Sequence, residues 1–182
     1  MQIEKKLIDS CIKNERKAQK KLYEKFAPVL LGLCCRYTRD RSEAEDVLQE
    51  AFIKIYKNLN QFANKGSFEG WLKRIAVNTA ITHYKQNQKH AYQEDITEIK
   101  ENRISNNEYI DCEFTREELM GVIKSLPAGY QMVFNLYAIE GYKHKEIAEM
   151  LKIDISTSKS QFSRAKKMAQ QKLNELKNFK NE

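Results

Sequence analysis

Apolar residues in this chain recur at intervals of three and four, and alternating β-branched runs are scarce. Between Ser42 and Leu59 they fall at Ala44, Val47, Leu48, Ala51, Phe52, Ile55 and Leu59, one face of a helix with 3.6 residues per turn. Between Gly70 and His90 a second stripe runs through Leu72, Ile75, Ala76, Thr79 and Ala80. A third occupies Ile147, Ala148 and Leu151. Only two prolines and six glycines punctuate 182 residues, so little interrupts such helices. The expected fold class is all-α.

Charge divides the chain. Between Gln93 and Glu118 stand Glu94, Asp95, Glu98, Glu101, Glu108, Asp111, Glu113, Glu117 and Glu118, against Lys100, Arg103 and Arg116. The part up to Asp111 has neither helical nor strand periodicity. It reads as a flexible acidic linker over residues 91–113 between two small helical domains, residues 1–90 and 114–182. A long surface loop within one domain is the alternative, and structureless loops of that length are uncommon in compact domains.

Hydrophobic residues make up 41% of the chain, enough for real cores. The net charge of +7 favours an anionic partner, nucleic acid or an acidic surface, and says nothing about fold. The longest apolar run, Val29 to Cys35, is too short to span a bilayer, and the N-terminus lacks the apolar stretch of a signal peptide. A cytoplasmic chain with no direct membrane insertion is expected. Cys11, Cys34, Cys35 and Cys112 lack metal-ligand spacing and read as reduced thiols, most of them small core residues. His83, His90 and His144 are scattered. No metal and no cofactor are expected; a redox-sensing role and a zinc site are the weaker readings.

The first domain reads as three helical pieces. One runs from about Ile3 to Lys25 with Ile8, Ile12, Leu22 and Phe26 apolar. A second, "APVLLGLCCRYT", is apolar nearly all round and belongs in the core. The third starts at Ser42, which makes a capping box with Glu45. Asp46, Gln49, Glu50 and Ile53 share an outward face of this helix. Such a face suits a basic partner helix; it also suits solvent, with acids placed for the helix dipole. Beyond it, the loop "QFANKGSFEG" joins Phe62 and Phe68 to small and amide-bearing residues, able to hold one unstacked base on its aromatics. Alternatively Phe62, Phe68 and Trp71 plug the corner between two helices. The helix that follows carries Lys73, Arg74, Lys85 and Lys89 and no acid from Gly70 to His90.

The second domain reads as a helix-turn-helix domain. Thr115 and Glu118 form a capping box, and the first helix ends at Pro127; the next, "GYQMVFNLYAIEG", stops at Gly141. A short helix from Lys145 to Leu151 follows, with Ala148 where two helices must approach closely and Ile153 anchoring the turn. Ser156 or Thr157 caps the last helix. That helix carries Lys159, Arg164, Lys166, Lys167 and Lys172, with no acid from Ser156 to Lys172. A recognition helix puts its N-terminal residues on base edges in the major groove, here Thr157, Lys159, Ser160, Ser163 and Arg164. A solvated basic face is the alternative.

Three segments in this order, "AEDVLQEAFIKIYKNL", "SFEGWLKRIAVNTAITHY" and "GYKHKEIAEMLKIDISTSKSQFSRAKK", resemble a bacterial RNA polymerase sigma factor. The short two-domain form is similar to the extracytoplasmic-function (ECF) group of the sigma-70 family. The resemblance covers about residues 20–90 and 114–175. It implies that Asp46, Gln49, Glu50 and Ile53 dock on the clamp helices of the largest subunit of core RNA polymerase, with the flap of the second largest as a further contact. It implies a minus-ten set of Phe62, Lys65, Ser67, Phe68, Trp71, Arg74, Asn78 and Thr82, where one base flips out and the non-template strand lies along the helix. It implies a minus-thirty-five set of Thr157, Lys159, Ser160, Gln161, Ser163, Arg164 and Lys167. Promoter DNA and an anti-sigma factor are the other implied partners, the latter able to hold the chain at the inner membrane.

Three residues depart from the family pattern. Lys152 stands where such turns carry Gly, Ser158 where Val or Ile packs the recognition helix, and Gln161 where Arg is common. The sequence offers no paired carboxylates in a cleft-like context, no nucleophile with its base and no phosphate-binding glycine loop, so a non-enzyme is expected. The rivals are a helix-turn-helix regulator that never needs polymerase, and a helical enzyme or metal protein built on the Cys and His residues.

Overall fold

The computed structural model describes residues 2–63, 66–91 and 114–181. The chain divides into two compact units, Met1–Tyr84 and Lys85–Glu182. Among the described residues every regular element is helical. The acidic segment expected to be a linker lies, but for Ala91, outside the described residues.

The first unit opens with α1 (Gln2–Ile12) and α2 (Arg16–Cys34). The break between them corrects the single helix expected to Lys25. Asn14 takes a left-handed φ of 59°, the Asn14 N–H donates to the Cys11 carbonyl, and the Glu15 N–H donates to that of Ser10. This is the double bond pattern that closes helices, and Asn adopts the left-handed conformation more readily than most residues. α2 then runs on through an exposed Pro28, which forfeits one backbone bond without ending the helix. Its stripe of Ala18, Leu22, Phe26, Leu30, Leu33 and Cys34 is buried. "APVLLGLCCRYT" is therefore amphipathic rather than buried all round, and Val29 stands in solvent.

α3 (Arg41–Asn58) buries every residue of its expected stripe, and Leu59 beyond it. Its start differs from the expected Ser42–Glu45 box. Asp40 is the cap, accepting the Glu43 N–H at 2.9 Å, and the Glu43 carboxylate accepts the Arg39 N–H at 2.9 Å. Asp is as good a cap as Ser, and taking it adds residues to the helix. Glu45 pairs instead with Arg41 at 2.8 Å. The Tyr56 hydroxyl donates to the Gln19 carbonyl at 2.9 Å and ties α3 to α2. A short 3₁₀ turn, Leu59–Gln61, leads toward α4 (Phe68–Ala91), which buries Leu72, Ala76, Val77, Thr79, Ala80 and Ile81. Cys11 and Cys34 are buried free thiols, and burial pushes Cys34 up to about 12.

The second unit begins with α5 (Arg116–Lys124), whose Thr115–Glu118 capping box is formed as expected at 2.8 and 3.2 Å. α6 (Ala128–Phe134) widens into a π-helical turn, Asn135–Ile139, and Gly141 ends it at a φ of 78°. α7 (His144–Leu151) and α8 (Ile155–Asn181) are the helix-turn-helix pair. Ile147 and Ala148 are buried beneath α7, and α8 packs on α5, α6 and α7 with Ala165 and Ala169 inside. α8 begins at Ile155, so Ser156 and Thr157 sit in its first turn rather than capping it. Asp154 precedes the helix, and its carbonyl accepts the Ser158 N–H at 3.0 Å. Among the described residues no helix is long and apolar enough to cross a membrane.

Candidate nucleic-acid interface

Three surfaces carry the residues singled out by sequence, two on the first unit and one on the second. On α3, Asp46, Gln49, Glu50 and Ile53 are all exposed, opposite the buried stripe. Ile53 is 53% exposed, a large aliphatic left in water beside two acids. Glu50 lies 3.6 Å from Lys54 one turn on, a surface pair of little stabilising value.

The second surface is the corner where the 3₁₀ turn meets α4. Ser67 caps α4, its hydroxyl accepting the Gly70 N–H at 3.2 Å, and Gly66 before it needs a φ of 94°. The cap and the glycine bend the chain so that three rings meet. Phe62 lies 5.0 Å from Phe68 and 5.6 Å from Trp71, and Phe68 stacks on Trp71 at 5.9 Å with their planes 16° apart. The three do not play one part. Phe68 is only 7% exposed and meets Phe26 of α2 edge-on at 5.6 Å, so it anchors the corner to the core. Phe62 and Trp71 are half-buried and keep ring surface outward. Ser67 is likewise a cap in this structure. Lys65 lies outside the described residues.

From that corner an exposed line runs along α4 through Arg74, Asn78 and Thr82, four residues apart and so on one side of the helix. The Thr82 hydroxyl donates to the Asn78 carbonyl at 2.9 Å, which leaves its oxygen outward as an acceptor. Lys73, on an adjoining face, pairs with Glu69 at 2.6 Å. The line offers amide donors and acceptors, a hydroxyl and a cation, chemistry that suits base edges and phosphates together.

The third surface is the start of α8. Lys159, Ser160, Ser163 and Arg164 are exposed, and Thr157, Gln161 and Lys167 are half-buried. The Ser160 hydroxyl donates to the Thr157 carbonyl at 3.0 Å. Arg164 donates from Nη1 to the Tyr130 hydroxyl at 3.3 Å. Lys152 adopts φ 60° and ψ 47° between α7 and α8, the left-handed geometry that a glycine would take without strain. The Ala148 carbonyl accepts the N–H groups of both Lys152 and Ile153 there.

Two residues escaped the sequence reading. Tyr130 and His144 come from helices before the turn and meet α8 across it. His144 Nδ1 lies 3.0 Å from the Ser158 hydroxyl, and Ser158 is fully buried. Burial and the charge of Lys159 hold the His144 imidazole below its usual range, so its ring is neutral near pH 7. The departure at Ser158 was a visible signal; its partner lay fourteen residues away. Among the described residues no three His, Cys, Asp or Glu side chains come together as a metal set.

Family comparisons meet this geometry. The sigma-70 region 2 family matches residues 22–90, and the sigma-70 region 4 family matches residues 116–168. The ECF RNA polymerase sigma-E factor of Escherichia coli K12 is 31% identical, over 93% of this chain and 94% of its own length. That of Haemophilus influenzae is 29% identical, over 93% of this chain and 95% of its own. Among solved structures, the sigma factor RpoE of Bartonella quintana, in complex with the anti-sigma factor NepR, superposes with a TM-score of 0.53 at 20% identity; the match covers 85% of this chain and 96% of that one, a likeness of fold. The acidic face on α3, the aromatic corner and polar line on α4, and the helix-turn-helix of α7 and α8 thus sit on a chain that belongs to the ECF group of RNA polymerase sigma factors.

Proposed function

We propose that the chain works by binding alone, joining core RNA polymerase and carrying two separate grips on promoter DNA. The α3 face of Asp46, Gln49, Glu50 and Ile53 docks on the clamp helices of the largest subunit. Its exposed aliphatic supplies apolar contact, and its acids meet a basic partner. The corner of Phe62 and Trp71 holds one base extruded from the minus-ten element, and Arg74, Asn78 and Thr82 follow the non-template strand. The start of α8 reads the minus-thirty-five element as intact duplex, with Thr157, Lys159, Ser160, Gln161, Ser163, Arg164 and Lys167 in or beside the major groove. Residues 1–90 and 114–182 form the two DNA-binding domains, with residues 91–113 between them.

Opening follows from the balance of binding energies. Extruding a base costs a few kcal/mol. Each base stacked on an aromatic ring returns about 1–3 kcal/mol, so captured bases hold the open state against the duplex. The observation that carries the reading is the α4 line beside two half-buried rings, which a regulator of intact duplex has no use for. The chain acts in the cytoplasm. An anti-sigma factor, the class of partner seen with the Bartonella quintana protein, holds it inactive, at the inner membrane where that partner is itself anchored.

Run-off transcription with core polymerase on a genomic library tests the whole reading. The expected result is initiation at a defined set of sites, lost with Asp46→Ala together with Gln49→Ala. A chain that never joins polymerase, or joins it without changing where synthesis begins, would be a helix-turn-helix regulator instead.

A further inference from the structure

His144 opens α7 and Ser158 lies in the first turn of α8, so the contact between them spans the helix-turn-helix. The His144 ring is held from two sides. It stacks on Tyr137 at 4.3 Å with the planes 13° apart, and Phe162 of α8 meets it edge-on at 5.9 Å. Tyr137 and Phe162 are themselves 4.4 Å apart. The imidazole nitrogen therefore has a set position, and the buried Ser158 hydroxyl must come to it. A hydrogen bond is directional where apolar contact is not, and a buried hydroxyl left unpaired is costly. The residue following Ser158 is Lys159, and Ser160 and Ser163 follow on the same helix.

We propose that His144 is a positioning residue for promoter recognition: its hydrogen bond to Ser158 sets the rotation of α8 about its own axis, and so which base edges Lys159, Ser160 and Ser163 reach. An aliphatic residue at position 158 would pack α8 by shape and let it settle at another angle. The His144–Ser158 pair gives this chain a minus-thirty-five preference of its own. The inference rests on reading α8 as the minus-thirty-five element's partner.

The experiment compares holoenzymes assembled from core polymerase and the full chain on promoters differing by single base pairs in the minus-thirty-five element. The quantity read is the binding ratio between the best sequence and each substituted one. Lost folding scales all promoters alike and leaves these ratios unmoved. In His144→Phe, which keeps the ring stack and removes the hydrogen bond, and in Ser158→Val, the ratio is expected to move at one or more positions by about fivefold, the scale of one lost base contact. His144→Asn keeps a polar group where Nδ1 stands and is expected to stay within about twofold of wild type. The double variant His144→Phe with Ser158→Val removes both polar partners; it is expected to recover melting temperature over either single change while keeping the altered ratio.

Ratios unchanged in both single variants would overturn the inference, as would equal shifts in His144→Phe and His144→Asn, or a double variant that regains the wild-type ratios. A wild-type holoenzyme with no minus-thirty-five preference would overturn the reading of α8 itself, and the inference with it.

Discussion

Arg164 reaches back from α8 to the hydroxyl of Tyr130 on α6, donating from Nη1 at 3.3 Å. The contact holds the guanidinium in place before DNA arrives, so less side-chain freedom is lost on binding. Arg164→Ala and Lys159→Ala should weaken binding to a minus-thirty-five duplex. Each lost phosphate contact lowers the slope of log K against log salt by about one. Tyr130→Phe should leave that slope alone and cost only about two- to threefold in affinity, the price of re-ordering one long side chain. A salt titration of holoenzyme by fluorescence anisotropy separates these; unchanged slopes in Arg164→Ala and Lys159→Ala would place neither residue at phosphate.

The two phenylalanines of the α3–α4 corner should fail in different ways. Phe68 is buried against Phe26, and truncating a buried Phe costs about 3–5 kcal/mol, so Phe68→Ala should lower the melting temperature and weaken every activity of the first unit. Phe62 is half-buried, and Phe62→Ala, like Asn78→Ala, should leave the fold and duplex binding in place while impairing opening. A template already unpaired at the minus-ten element should rescue much of the Phe62→Ala defect. Equal failure of Phe62→Ala and Phe68→Ala on both templates, at matched folded fraction, would refute the division between stacking surface and anchor.

Lys152, an exposed residue, holds a left-handed conformation. That geometry costs a non-glycine residue about 1–2 kcal/mol, and glycine returns part of the gain through its freer unfolded chain. Lys152→Gly should therefore stabilise the second unit by up to about 1 kcal/mol. Urea denaturation gives the value directly. A destabilised variant would mean that the lysine stem, not the backbone, decides stability at this turn.

What could be read from sequence was what one helix decides by itself. The α3 stripe from Ala44 to Ile55 and the Thr115–Glu118 box follow from spacing within one element, and the strained position at Lys152 follows from the glycine that the family pattern carries at that turn. Local signals failed where two served equally well. Asp40 with Glu43 competes with Ser42 and Glu45 for the start of α3, and the longer helix wins. Asn14 ends α1 with a conformation that its neighbours do not announce. Contacts between elements were out of reach. Phe68 is an anchor only because Phe26 stands behind it, and the oddity of Ser158 had no visible answer until α7 brought His144 to it.

Acid should loosen the helix-turn-helix through that same imidazole. Burial first, and then the charge of Lys159, lowers the His144 pKa below the 6.5 of a free imidazole. The folded second unit therefore holds back from taking a proton that the unfolded chain accepts. Stability is complete above pH 6.5 and drains away as pH falls from there through the lowered folded value, below which the loss is constant. Thermal melts of the full chain between pH 7.5 and 5 should show the second unit falling over this window. In His144→Phe that step should vanish, while the melting of the first unit stays as in the wild type. A variant that keeps the full step would show that another group titrates there, and that the neutral ring of His144 contributes nothing to the hold of α7 on α8.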